Sequence, residues 1–144
     1  MKINTTRFGE IEIEEERIFK FVLPIIGFNE LRKYVLLDLN KNNFFKWLQS
    51  VEDPGLAFPV VSVFSMDVDY SIDLEDNVVE ALKIKNVESL LVMNIASIPQ
   101  DNPHGTTINL LAPLIFNLDE QLAGQIILSG SGYDVSFPMF KKLN

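Results

Sequence analysis

The chain has 144 residues, 47% of them hydrophobic, a formal net charge of −8 and no cysteine. That length fits one domain, residues 1–144, and buries roughly 68–70% of the unfolded surface, which excludes a disordered chain. The missing cysteines exclude a disulfide scaffold, a thiolate metal site and a cysteine nucleophile.

Chain order begins with clean alternation at Glu10-Ile11-Glu12-Ile13-Glu14, after Phe8-Gly9. Gly9 is expected to mark the turn of a hairpin between Lys2–Thr6 and Glu10–Glu14. Phe28–Lys33 is expected to form one helical turn. Further strands are expected at Tyr34–Leu39, Phe44–Gln49, Ala57–Val63, Leu90–Ser97, Thr106–Phe116 and Gln125–Ser129. Pro24, Gly27, Pro54-Gly55, Pro99, Pro103 and Gly105 punctuate them. Between them, Val78, Val79 and Leu82 have helical spacing, which predicts a helix over Glu75–Leu82 with Asp73 as its N-cap. Eleven phenylalanines suit pleated, half-buried surfaces. The pattern predicts a mostly β fold: a small antiparallel β-barrel-like single domain with one or two short helices.

The longest nearly apolar runs, residues 21–28 and 110–116, are far shorter than the roughly 20 residues that span a bilayer. The N-terminus has no apolar signal-peptide core. The expectation is a soluble cytoplasmic protein with no membrane partner. The basic residues number twelve and are scattered, with pairs only at Arg32–Lys33 and Lys141–Lys142. Phosphate backbones are bound through clustered bases, so no direct nucleic-acid contact is expected.

Chemistry-bearing motifs are sparse. His104 is the only histidine and sits in a loop by composition. No Gly-x-Ser-x-Gly elbow surrounds a serine. Ser129-Gly130-Ser131-Gly132 lacks the lysine and helix of a phosphate loop and reads as a flexible turn. Asp67 and Asp69 share a strand face where a divalent cation would be mostly hydrated. The acidic run Asp67, Asp69, Asp73, Glu75, Asp76 and Glu80 contains no base, and Glu12, Glu14, Glu15 and Glu16 form a second cluster. Each is either a solvated face or a docking surface for a basic partner. Trp47 is expected to pack in the core. Tyr70 and Tyr133 stand between core residue and interface anchor.

Several segments, taken together, resemble the flagellar assembly factor FliW family. They are Ile18-Phe19-Lys20-Phe21, Gly27-Phe28, Tyr34-Val35-Leu36-Leu37, and Phe45-Lys46-Trp47-Leu48-Gln49-Ser50 continuing to Asp53-Pro54-Gly55-Leu56-Ala57-Phe58. Asp69-Tyr70, Thr107-Ile108-Asn109-Leu110-Leu111-Ala112-Pro113-Leu114, Gln125-Ile126-Ile127-Leu128 and Tyr133 with Pro138-Met139-Phe140 follow in the family's order. The similarity runs from about residue 3 to residue 140. The chain departs from the family pattern at Pro24, at Val63 and at Ser136, where the family often has an arginine.

The resemblance implies a compact β-barrel-like protein, monomeric when free, without catalytic activity, cofactor or metal. It implies two competing partners: flagellin, and CsrA, the RNA-binding repressor of flagellin translation. Flagellin would hold the protein and free CsrA; export of flagellin would let the protein capture CsrA and relieve repression. The implied contacts are Gln49, Ser50, Asn109, Pro113, Gln125 and Tyr133, together with Asp67, Asp69, Tyr70, Asp73, Glu75 and Asp76. The acidic segment is assigned to CsrA, and an apolar patch near Phe116, Phe137 and Met139 to flagellin. The alternative is a small metal-dependent enzyme or binding domain on a similar barrel, since fold alone does not fix function.

Overall fold

The computed structural model describes residues 1–38 and 45–140. Its strands are β1 (Lys2–Thr5), β2 (Gly9–Glu12), β3 (Phe19–Leu23), β4 (Lys33–Leu37), β5 (Lys46–Ser50), β6 (Ala57–Val61), β7 (Leu90–Ser97), β8 (Thr107–Ile108), β9 (Leu114–Asn117), β10 (Leu122–Gln125) and β11 (Phe137–Pro138). One helix, α1 (Asp76–Ala81), lies between β6 and β7.

Seven strands close on themselves in the order β7-β6-β5-β4-β3-β10-β9, with β9 returning to β7. Six of the seven contacts are antiparallel, and β3 with β10 is parallel. Parity requires this. Each antiparallel contact reverses direction, and a closed ring must return to its start, so the number of reversals is even. The expectation of a purely antiparallel sheet is corrected at this one seam.

Alternation fills the barrel. Phe19 and Phe21 of β3, Tyr34 of β4, Leu48 of β5, Val60 of β6, Met93 of β7, Leu114 and Phe116 of β9 and Ala123 of β10 form the interior cluster. Phe21 meets the rings of Tyr34 and Phe116 edge-on, at centroid distances of 4.9 and 5.7 Å. Edge-to-face pairs add roughly 0.5–1.5 kcal/mol each beyond their burial.

The outward residues are covered as well. The β1–β2 hairpin lays Ile3, Ile11 and Ile13 over Val35, Leu37 and Trp47. Trp47 is half-buried against this outer layer and lies outside the barrel core that its apolar setting predicts; Arg7 lies 4.1 Å over its ring. Helix α1 sets Val78 and Leu82 on Ile115 and Ile126. Asn117 Nδ2 donates to the Leu82 carbonyl at 2.8 Å and satisfies that helix end.

Gly9 turns the hairpin at φ +72°, a region open to glycine at no steric cost. Gly124 serves a different need at the parallel seam. A Cβ there would stand 2.7 Å from the Leu23 Cβ, and the register of β10 against β3 shifts between Ala123 and Gly124.

Several expected elements differ. Residues 19–23 form β3, a strand not expected there, with Lys20 exposed between the buried Phe19 and Phe21. Phe28–Lys33 is not a helical turn: two successive i→i+3 bonds, Phe28 N to Ile25 O and Leu31 N to Phe28 O, carry the chain into β4. Thr106–Phe116 is two strands, because Leu110 N leaves the ladder for the Asp134 carbonyl. The strand expected at Gln125–Ser129 lies at Leu122–Gln125. The helix N-cap is Glu75, whose side chain caps nothing, rather than Asp73. Leu39 and Phe44, at the ends of two expected strands, lie outside the described residues.

Beyond the ring, β8 pairs with the end of β7, and β11 pairs with β8 as the outermost strand. Pro138 sits there opposite Thr107. An edge tolerates its missing N–H and is thereby a poor template for further strands. Among the described residues no helix is long and apolar enough to cross a membrane.

Candidate partner-docking face

After a 3-10 turn at Val63–Ser65, the chain leaves the barrel and runs as a strap to α1. The strap carries the acidic residues. Asp67, Asp69, Asp73, Glu75 and Asp76 are all exposed. Among the described residues, ion pairs form only at the Met1 amino group with Glu12 (2.8 Å) and at Lys2 with Glu10 (3.7 Å). The strap's carboxylates thus make no ion pair among the described residues. The second cluster, Glu12 and Glu14–Glu16, lies on and beyond the hairpin instead.

Two tyrosines fasten the strap. Tyr70 is buried with Val61, Val63, Ile108 and Leu110, and its hydroxyl donates to the Leu110 carbonyl at 2.6 Å. Asn94 Nδ2 donates to that hydroxyl at 3.2 Å and to the Asn109 carbonyl at 2.9 Å. Burial raises the pKa of Tyr70 above its ordinary value, although the Asn94 hydrogen bond works the other way, so the hydroxyl keeps its proton at neutral pH. Tyr133 stacks edge-on against Tyr70, with ring centroids 4.8 Å apart. The Tyr133 hydroxyl also binds Ser71, accepting from its N–H and donating to its carbonyl.

Of the remaining candidate residues, Gln49, Ser50 and Pro113 are buried, and Asn109 and Gln125 are half-exposed. Gln49 and Ser50 are both 0% exposed. The Gln49 amide donates to the Ser50 and Leu56 carbonyls at 3.1 Å, and the Ser50 hydroxyl accepts from Glu52 N and Asp53 N. Together they shape the loop at residues 51–56. Asn109 Oδ1 accepts from Ala112 N at 3.0 Å. Gln125 bridges the Ala112 carbonyl and Ile26 N. Pro113 is buried, and its carbonyl accepts from Ile126 N. All but Pro113 use their side chains to hold backbone groups of neighbouring loops. Phe116 is 0% exposed inside the barrel, and Phe137 and Met139 pack toward Ile108. The expected apolar patch is corrected at Phe116 alone: Phe137 and Met139 are half-buried, and Phe137 lines an open apolar groove with Pro138 and Phe140.

Asn94 was missed in the sequence, yet it is 0% exposed and joins the strap to β7. Its signal is visible in hindsight as a lone amide in Leu91-Val92-Met93-Asn94-Ile95. His104 lies exposed in a 3-10 turn with its ring against Phe140. Among the described residues no three His, Cys, Asp or Glu side chains gather where a metal ion would sit.

Two open grooves flank the strap. One, of about 610 Å³, is lined by Ser71, Asp73, Glu75, Ile127 and Tyr133. The other, of about 370 Å³, is apolar. The fold and this surface define the class: a closed seven-stranded β-barrel with an acidic strap across its outer face.

The chain matches the family model described as FliW protein over residues 2–139. It belongs to that family. It is 38% identical to the flagellar assembly factor FliW of Clostridium tetani over 144 residues, covering 100% of this chain and 99% of the relative. It is 42% identical to the flagellar assembly factor FliW of Pseudothermotoga lettingae over 133 residues, covering 92% and 85%. A crystal structure of the flagellar assembly factor FliW superposes with a TM-score of 0.91 at 37% identity, covering 99% of each chain.

Proposed function

We propose that this protein is a cytoplasmic flagellar assembly factor that works by binding rather than by catalysis. It binds flagellin as a chaperone and, when free, captures CsrA and relieves repression of flagellin synthesis. The observation that carries this reading is the match along nearly the whole chain to relatives named flagellar assembly factors.

The exposed acidic strap supports the CsrA half of the proposal. A net charge of −8 beside an RNA-binding protein repels the message without covering its site. Such coupling is reciprocal: RNA weakens this protein's hold on CsrA by the same factor. It also shrinks as salt screens the charges, over about 8 Å at physiological ionic strength.

The test is calorimetric titration against purified CsrA from the same organism, repeated after saturation with flagellin. Binding to CsrA that flagellin abolishes is the expected result. Failure to bind either folded partner overturns the proposal and leaves the family fold without this function.

A further inference from the structure

The strap alternates like a strand. Ser71, Asp73 and Glu75 are exposed, while Ile72 and Leu74 are half-buried and pack with the Ile115 cluster. Yet it has no strand partner. Among the described residues, the N–H groups of Ile72, Asp73, Leu74 and Glu75 and the carbonyls of Ile72, Asp73 and Leu74 make no hydrogen bond within the protein. Immediately beside this unpaired stretch lies the apolar groove, where Ile72 and Leu74 meet Phe64, Val87, Leu90 and Val92. Phe64 is 53% exposed and Val87 77% exposed.

An unpaired backbone edge next to side-chain pockets is the geometry of strand addition: main-chain bonds give affinity, and pockets for alternate side chains give specificity. We propose that Ile72–Glu75 is an open strand edge that takes up an extended peptide segment of alternating apolar and basic residues, seated over the apolar groove. A strand added there lies about 4.7–4.9 Å from the strap. Its residues beside Ile72 and Leu74 face the groove. Its residues beside Asp73 and Glu75 stand next to carboxylates, where opposite charges attract.

Charge sets the identity of the occupant. On the face of the strap opposite Ile72 and Leu74, Asp73 and Glu75 are exposed and line the larger groove beside Ser71 and Tyr133, so that face is acidic. A helical occupant satisfies its own backbone and leaves the strap's groups covered without partners, which is costly. The inference gives a binding mode to the acidic docking face and rests on that reading for its charge only.

The probe is a synthetic octapeptide alternating valine and lysine, titrated by calorimetry with amide hydrogen exchange followed in parallel. Controls are a valine–glutamate peptide, a peptide with the valines and lysines in two blocks, and two N-methylated forms, each blocking one peptide edge. The alternating basic peptide is expected to bind and to slow exchange at Ile72–Glu75. One N-methylated form should lose about tenfold in affinity, the worth of one or two backbone hydrogen bonds. Asp73→Lys with Glu75→Lys, both at exposed positions, should reverse the preference toward the valine–glutamate peptide.

No binding overturns the proposal. So does binding without protection of those amides, a helical bound peptide, or full affinity from both N-methylated forms. Neither flagellin nor CsrA enters this experiment, so its failure leaves the proposed function standing, and its success does not depend on that function.

Discussion

The Tyr133 hydroxyl holds Ser71 twice, accepting from its N–H at 2.9 Å and donating to its carbonyl at 3.3 Å. One side chain thus performs the work of a strand neighbour midway along the strap. Tyr133→Phe keeps the ring contact with Tyr70 and removes both bonds. Each is worth about 0.5–1.5 kcal/mol. The expected result is faster amide exchange at Ser71 with little change at β5. Unchanged exchange at Ser71 rules out the fastening role.

Tyr70 anchors the strap more deeply. Tyr70→Phe strands the Leu110 carbonyl and one Asn94 amide bond in a buried setting. A buried group left without its partner costs about 1–3 kcal/mol. Urea unfolding should show that loss, in a protein whose barrel strands stay native by amide exchange.

Gly124→Ala forces a Cβ to within 2.7 Å of the Leu23 Cβ across the parallel seam. Overpacking of this kind costs about 1–3 kcal/mol. A lowered melting temperature is expected, with exchange quickening first at β3 and β10. A neutral substitution shows that the seam is loose enough to spread.

Alkaline pH tests the barrel interior. Burial pushes the Tyr34 hydroxyl up to about 12, with the charges of Glu52 and Asp53 adding to the shift. Below pH 10 both folded and unfolded chains hold the proton, so this group adds no pH dependence. From about pH 10 to 12 the unfolded chain releases it first, and stability falls as pH rises. Above about 12 the loss levels off. Tyr34→Phe should flatten this part of the stability profile relative to the parent. An identical profile means that other groups carry it.

Much of the barrel is legible in the sequence because short apolar runs stand between turn-forming residues. Leu90–Ser97 was placed at its observed bounds, and the hairpin within one or two residues. The seam strand Phe19–Leu23 was not: Lys20 is exposed between the inward rings of Phe19 and Phe21, but the apolar pair Val22 and Leu23, both packed with the helix layer, ends that alternation after three residues. Three alternating residues are fewer than the four to eight that mark a strand. The exposure of the acidic segment was legible from charge alone. Its fastening was not. Gln49, Asn109 and Gln125 look alike as local sequence whether they reach a partner or a loop carbonyl. Only the chain's return from a hundred residues away decides: Ile26 N finds the Gln125 side chain across 99 positions.

The parallel seam has a consequence for how the molecule is made. It pairs Lys20 with Leu122, so the first barrel strand waits for the last. The contacts from β3 through β6 join neighbours in sequence and close short loops at small entropic cost, while the seam encloses most of the chain. On the ribosome, β3 to β6 are complete long before β10 emerges. Until residue 122 has been synthesised and freed, β3 remains an unpaired edge. The interval of exposure to wrong pairing is therefore set by the pace of translation, at about 5–20 residues per second.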